Sequence, residues 1–566
     1  MFPKNQARHE ASPYSGQCFA KRVARIGVRF AWLLCATIAA SAQADTFTVT
    51  NTGNSGAGSL RQAILNANAM QVTVGTLCAP HSVAFAIPGA GPHTIQPLSA
   101  LPAFDIAITV DGYSQPGAVQ NNLFDGDNAI LKVEVDGSLA GPVDGFTMRV
   151  KSSTLCSGTG SVIRGLVINR FAGSAIAVGE GPCTVGINCQ VGNIRIAGNF
   201  IGTDVTGMLA RGNGAALASA ALRFGKGSLH VIVGDEDANV GGPSQFLPQS
   251  RNVISGNLGD AVAMSSTSSM PIDLSASHVV RSNYIGIAAN GITALPNAGR
   301  GITAGLNTAQ IAIYDNLISA NASDGVAILD SVSPGTAVIG NGIGIGVGAV
   351  PLGNAGNGVL ASGAATGVTL GRKYLTVPFG QPSIANNGGA GVFVDDVAQL
   401  DIVNGSIGRN AGLAIDLAPV GVTPNDPADA DAGPNEGLNK PIINPVVVDA
   451  TTGIATISGA LNAAPNSNYE IHFYTSASCG TSSSGDGEVF FQFSPGPITA
   501  SVTTNAAGDA PFSRQTSFLP TNQFLTALTR RFATVPGPSA LIVSEFSACR
   551  QIVSSTDLIF SNGFDG

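Results

Sequence analysis

Adjacent carboxylates are the simplest apparatus for general acid–base work, and Asp395-Asp396 is the one directly adjacent aspartate pair in this chain. Such a pair could divide the roles of acid and base at a glycosidic bond, given a nearby His and basic groups to hold a substrate carboxylate. A second acidic cluster, Asp235-Glu236-Asp237, together with Arg211 or Arg251, suits a different chemistry. Its oxygens would hold calcium, which acidifies the proton beside a uronate carboxylate, and the arginine would remove that proton as base. A third group runs through Asn425, Asp426, Asp429, Asp431 and Glu436. Alternating oxygen side chains in a flexible loop favour calcium, although Pro427 and Pro434 interrupt any EF-hand spacing. Each group also has a plain reading: an exposed turn pair, a solvated loop and an acidic linker. The histidines beyond residue 44 (His81, His93, His230, His278 and His472) lie far in sequence from Asp395-Asp396, and His230 and His278 alone fall in the central repeats.

Sugar-binding surfaces usually stack rings on aromatic side chains. The single Trp, Trp32, lies near the N-terminus, and the tyrosines are few. Tyr284 and Tyr314 follow at nearly one repeat's spacing, which would stack them on one face if the repeat places them alike; packing explains them equally well.

The elements that must position these groups come from a repeat. Asn257, Asn297, Asn321, Asn354, Asn387 and Asn410 are each followed five residues later by Val or Ile, at Val262, Ile302, Val326, Val359, Val392 and Ile415. Ile254, Ile318, Ile384 and Ile407 stand three residues before four of them. The asparagines lie 40, 24, 33, 33 and 23 residues apart, as expected of similar coils carrying loops of different length. Short apolar pieces punctuated by Gly and Asn read as strands joined by tight bends, because both residues tolerate the left-handed backbone region. Stacked coils would bring each Asn beside its counterpart, where side-chain amides pair as a ladder. With 72 glycines and little helical periodicity, a parallel β-helix is expected over residues 95–423.

Before it, Gly58-Ser59-Leu60-Arg61-Gln62-Ala63-Ile64 contains a capping box, Ser59 with Gln62, and Leu60, Ala63, Ile64 and Ala67 share one helical face. Such a helix, within an N-terminal cap over 45–94, would cover the open end of the solenoid core. After it, residues 424–445 form an acidic linker or a second cap. Alternating strands over 446–550 then suggest a small antiparallel β-sandwich, and 551–566 is a tail.

Residues 1–44 read as a signal peptide: basic residues from Lys4 to Arg29, an apolar run from Phe30 to Ala40, and Ala42-Gln43-Ala44. An exported protein, secreted or at the cell surface, is expected. Without those residues, 21 basic groups face 34 acidic ones, a net charge of −13, which argues against a nucleic-acid partner. No later stretch is apolar enough to cross a bilayer as a helix. Six cysteines remain, an even number that suggests disulfides in an exported chain. Cys183 with Cys189, Cys479 with Cys549, and Cys78 with Cys156 is one of several possible pairings.

The segment Gly58-Ser59-Leu60-Arg61-Gln62-Ala63 resembles the Cys-Ser-Leu-Arg-Glu-Ala signature of bacterial exported right-handed parallel β-helix proteins, of the pectin-lyase-like superfamily. Gly58 replaces the signature's Cys, and Gln62 its Glu. Ile415-Asp416-Leu417 through Gly433-Pro434-Asn435 looks like the end of the helix in that group, and Ser544-Glu545-Phe546-Ser547 like the last strand of its appended sandwich. Leu558 to Asp565 is similar to a C-terminal sorting motif. The resemblance implies a right-handed β-helix but leaves activity open, since the superfamily includes lyases, hydrolases and adhesins. Its hydrolases follow their aspartate pair with Gly-His-Gly, which Asp395-Asp396 lacks. The reading is an exported scaffold for adhesion or glycan contact, without catalysis; the alternative is a polysaccharide lyase or glycoside hydrolase on an acidic polysaccharide. Convergence of Asp204, Asp235, Asp260, Asp395 and Asp401 with an Arg in one cleft would favour the enzyme.

Overall fold

Parallel strands build this protein, stacked coil upon coil. The computed structural model describes residues 44–70, 80–149, 158–179, 190–215, 220–235, 247–266, 275–330, 335–371, 383–480, 484–490, 492–493, 496–497, 499–517, 519–532 and 541–557. Residues 1–43, Cys78, Cys156, Cys183, Cys189 and the last nine residues lie outside that set. Each coil contributes one short strand to each of three parallel sheets, of thirteen, ten and nine strands among the described residues. One coil runs from Ala312–Tyr314 in the first sheet through Leu317–Ile318 in the second to Val326–Leu329 in the third. This is a parallel β-helix.

Its core is a set of aliphatic stacks fixed by register. On the second sheet Ile168, Ile201, Ile254, Ile285, Ile318, Ile343, Ile384 and Ile407 pair in unbroken order. The first sheet matches it with Val280, Ile313, Val338, Leu370 and Ile402, and the third with Ile302, Val326, Val359, Val392 and Ile415. All are buried, and each coil hides its apolar set only by stacking on the next.

The corners are held by two asparagine ladders. Between the second and third sheets, Asn213, Asn257, Asn297, Asn321, Asn354 and Asn387 each donate from Nδ2 to the Oδ1 of the next asparagine, ending at Asn410, at 2.9–3.0 Å. Between the first and second sheets, Asn199, Asn252, Asn283 and Asn316 do the same, ending at Asn341, at 2.8–3.1 Å. Sequence reading misses this second ladder, although a signal is present: each member opens Asn-x-Ile followed by Gly or Ser.

The N-terminal end is closed by the helix Leu60–Ala69, which buries Leu60, Ala63, Ile64 and Ala67 and whose N-cap Ser59 accepts from the Gln62 amide. Arg61 fastens it by donating to the carbonyls of Ser99 at 2.9 Å and Asn54 at 3.1 Å. Gly58 has φ +76°, and a Cβ there would press on Thr50 Oγ1, so a cysteine at this position would be strained.

Beyond Leu417 the strands pair mostly antiparallel, with Val446–Val448 parallel to Arg550–Ser554, and join one connected ten-stranded sheet with its own apolar core, which includes Ile457, Ile471, Phe473, Leu525 and Ile542. Tyr474, Phe490, Leu528, Val543 and Phe546 instead complete the solenoid core, closing its second end. Cys479 and Cys549 form a disulfide across 70 residues of sequence.

Candidate functional site

The acids and bases singled out in the sequence are carried by different elements of the coils. Asp395 and Asp396 follow the third-sheet strand Val392–Val394. Asp395 Oδ1 accepts from the Asp396 amide at 2.8 Å, and Asp396 Oδ2 accepts from Ser362 Oγ and the Gly363 amide of the previous coil, each at 3.3 Å. Asp235 follows the first-sheet strand Ser228–Gly234, is fully buried and accepts from the Leu247 amide at 3.1 Å; Glu236 and Asp237 lie outside the described residues. Asp204 holds its own hairpin, accepting from Thr206 Oγ1 at 2.8 Å and the Leu209 amide at 3.1 Å. Asp260 accepts from the Arg300 amide and Thr303 Oγ1, both at 2.7 Å. Asp401 receives Arg530 Nε and Nη2, both at 2.8 Å.

The candidate bases are held as well. Arg211 donates to the neighbouring Ala210 carbonyl at 3.0 Å. Arg251 is buried, donates from Nη2 to Phe124 O at 2.6 Å and from Nη1 to Gly126 O, and lies 4.2 Å from the centre of the Tyr284 ring. The Tyr284 hydroxyl accepts from the Gly126 amide at 2.8 Å, so Arg251 and Tyr284 together clamp the loop over residues 121–128. Burial lowers the Arg251 pKa and raises that of nearby Asp127 to about 6. Tyr284 belongs to the second sheet and Tyr314 to the first, so the expected shared stacking face is corrected: unequal loops put equal spacings at different corners.

The loop after the solenoid does gather acids. Asp426 Oδ2 accepts from the amides of Ala430 at 2.9 Å and Asp431 at 3.2 Å. Asn439, which the sequence reading passed over, organises the rest: its Oδ1 accepts from the Asp426 amide at 3.1 Å, and its own amide donates to Asp429 Oδ1 at 2.8 Å. One carboxylate oxygen from each of Asp426, Asp429 and Asp431 thereby comes within 4.8 Å of the others. Burial pushes Asp429 up to about 6, and the neighbouring Asp431 and Asp426 add to the rise against Arg531. Glu436 turns away to Arg531 Nη2 at 2.8 Å, and Asn425 pairs with the Lys440 backbone at 2.7 and 3.0 Å. Three of the five oxygen-bearing residues named from the sequence thus share one place.

Around this loop the solenoid is tied to the C-terminal sheet by ion pairs that sequence spacing does not disclose. Lys440 meets Glu545 at 2.9 Å, Arg409 meets Glu488 at 2.8 Å, and Ile407 exchanges two backbone hydrogen bonds with Gly487 at 2.9 Å. Asn435 Nδ2 donates to Val543 O at 2.7 Å and to Leu400 O at 2.9 Å.

No family model matches this chain, and no curated protein sequence matches it. Among solved structures, it is similar to a point mutant of the periplasmic alginate epimerase AlgG, with 12% identity and a TM-score of 0.31 over 60% of this chain and 74% of that one. It is also similar to the A-module of the mannuronan C-5 epimerase AlgE6 of Azotobacter vinelandii, with 10% identity and a TM-score of 0.30 over 65% and 72%. A third likeness is to the enzymatically active domain of tailspike protein 4 of bacteriophage CBA120, with 10% identity and a TM-score of 0.25 over 86% and 66%.

Proposed function

We propose that this protein is an exported or cell-surface β-helix scaffold whose outer faces contact extracellular polysaccharide without turning it over. One observation carries the reading: described acids and bases that chemistry would need are engaged with structural partners on separate elements, with Asp401 held by Arg530 and Arg251 by the 121–128 loop. A catalytic carboxylate must instead face a substrate with a free oxygen. The turns that lead into the third-sheet strands carry a row of polar residues. Asp260, Arg300, Asp324 and Asn357 follow one another from coil to coil: Asp260 accepts the Arg300 amide, Arg300 Nε donates to Asp324 at 3.1 Å, and Asn357 Nδ2 donates to Asp324 at 3.1 Å. Asp260, Arg300 and Asn357 are partly exposed on stacked coils spaced about 4.8 Å apart and would offer an extended chain a row of polar contacts. Export rests on the basic and apolar pattern of the leader.

The test is a screen of the mature protein against immobilised acidic and neutral polysaccharides with calcium present, following unsaturated-product absorbance, reducing ends and retention together. Retention without turnover is expected. Turnover of any substrate overturns the scaffold reading, and neither retention nor turnover overturns the glycan reading.

A further inference from the structure

We propose that Asp426, Asp429 and Asp431 form a binding site for a calcium-class divalent cation at the seam between the solenoid and the C-terminal sheet. Their clustered carboxylates are only the first observation. The second is the state of Asp429. Its side chain has no solvent exposure, and its buried Oδ2 receives no hydrogen bond. Arg531 Nη2 stands 3.6 Å away as its ion-pair partner, but the same nitrogen donates to Glu436 at 2.8 Å. Asp429 and Glu436 therefore share a single guanidinium. A buried carboxylate oxygen without a donor is costly, and a cation held by the three aspartates removes that cost.

The donor set selects the ion. It consists of carboxylate oxygens on an irregular loop, with no His or Cys among the three residues, which suits a hard cation with flexible coordination better than zinc. The location gives the ion a task. Arg531 lies on the strand Phe524–Phe532, and the loop is also tied to the strand Ala455–Asn462, where Asn462 Oδ1 accepts from the Ala428 amide at 2.7 Å and Asn462 O accepts from Asn439 Nδ2 at 3.0 Å. Neutralising the loop therefore fastens the end of the solenoid to the sheet that closes it. This site does not depend on the scaffold reading.

Calorimetric titration of calcium chloride into the chelator-stripped mature protein, with thermal unfolding followed alongside, tests the site. One calcium per chain is expected, with magnesium weaker and Tm raised by calcium. Asp431→Asn is the informative variant, since that side chain is exposed and its loss should leave the stripped protein folded; it should weaken calcium binding at least about tenfold. Asp429→Asn should abolish the calcium-dependent rise in Tm. Absence of saturable calcium uptake by the folded wild type, or an Asp431→Asn protein that binds like wild type, overturns the proposal.

Discussion

Asn387 Oδ1 accepts two hydrogen bonds from the coil before it, from Asn354 Nδ2 at 2.9 Å and from the Asn354 backbone amide at 3.2 Å. Asn387 Nδ2 then repeats the gesture towards Asn410 at 2.9 Å. Each inner amide of the ladder is therefore donor to one neighbour and acceptor from the other, and Asn354 and Asn387 are both only 1% exposed. A ladder of this kind holds only while every rung is an amide, because the interior gives an orphaned donor no substitute partner.

Asn354→Ala removes the acceptor of Asn321 Nδ2 and the donor to Asn387 in one step. The expected loss is about 2–4 kcal/mol of unfolding free energy, from two to three buried polar groups left unsatisfied. Urea unfolding of the purified variant measures it. An unchanged midpoint would mean that water enters the corner.

Arg530 and Asp401 join the last first-sheet strand to the C-terminal sheet through two 2.8 Å bonds, and the Asp401 side chain is 5% exposed. Arg530→Met leaves that carboxylate buried beside an apolar chain, and about 3–5 kcal/mol of destabilisation is expected. Hydrogen exchange should show the amides of Leu400–Val403 losing protection before those of the central coils. Uniform loss of protection would count against a local tether.

His278 is fully buried inside the solenoid, where its Nδ1 accepts from the Val231 amide at 3.1 Å and its Nε2 lies 2.9 Å from Ser275 Oγ and 3.3 Å from Ser228 Oγ. The Phe224 ring packs 5.3 Å away, and burial, aided by His230, depresses the imidazole pKa to about 3. The folded protein keeps this ring neutral while the unfolded chain takes up a proton below about 6.5. Its contribution to stability is thus complete above that pH and falls as pH drops towards 3, by at most about 1.4 kcal/mol per pH unit. Denaturant unfolding at pH 7, 5.5 and 4.5 should show a shallower acid loss for His278→Gln than for wild type. Parallel profiles would refute the assignment.

The Cys479–Cys549 bridge closes a sequence separation of 70 residues in the sheet that plugs the solenoid. Replacing both with Ser should cost about 2–4 kcal/mol, chiefly by freeing the unfolded chain. Thermal unfolding of the double variant under oxidising conditions checks this, and a Tm equal to wild type would mean that packing alone holds the plug.

Ile254, Ile318, Ile384 and Ile407 show why the architecture was readable. Their fixed distance from the repeating asparagines is set within one short strand-turn-strand unit, so the local spacing survives whatever loop follows. The helix Leu60–Ala69 was readable for the same reason, since Ser59, Gln62 and the buried face lie within three turns. The ladder from Asn199 to Asn341 escaped notice because its members are separated by 53, 31, 33 and 25 residues and resemble ordinary turn asparagines until the coils are stacked.

The acids divide along the same line. Asp426, Asp429 and Asp431 sit close in the chain, and a short loop folded back on Asn439 brings their carboxylates together, so sequence proximity was enough to suggest a common site. Sequence could not show that Asp401 meets Arg530 across 129 residues, or that Arg251 reaches back 127 residues to the Phe124 carbonyl. The coil, its aliphatic stacks and the closing helix follow from local periodicity and turn chemistry. Which charges meet depends on how the coils stack. Loops of unequal length set the angular position of each side chain around the solenoid, and an ion pair forms where two such positions coincide across stacked coils.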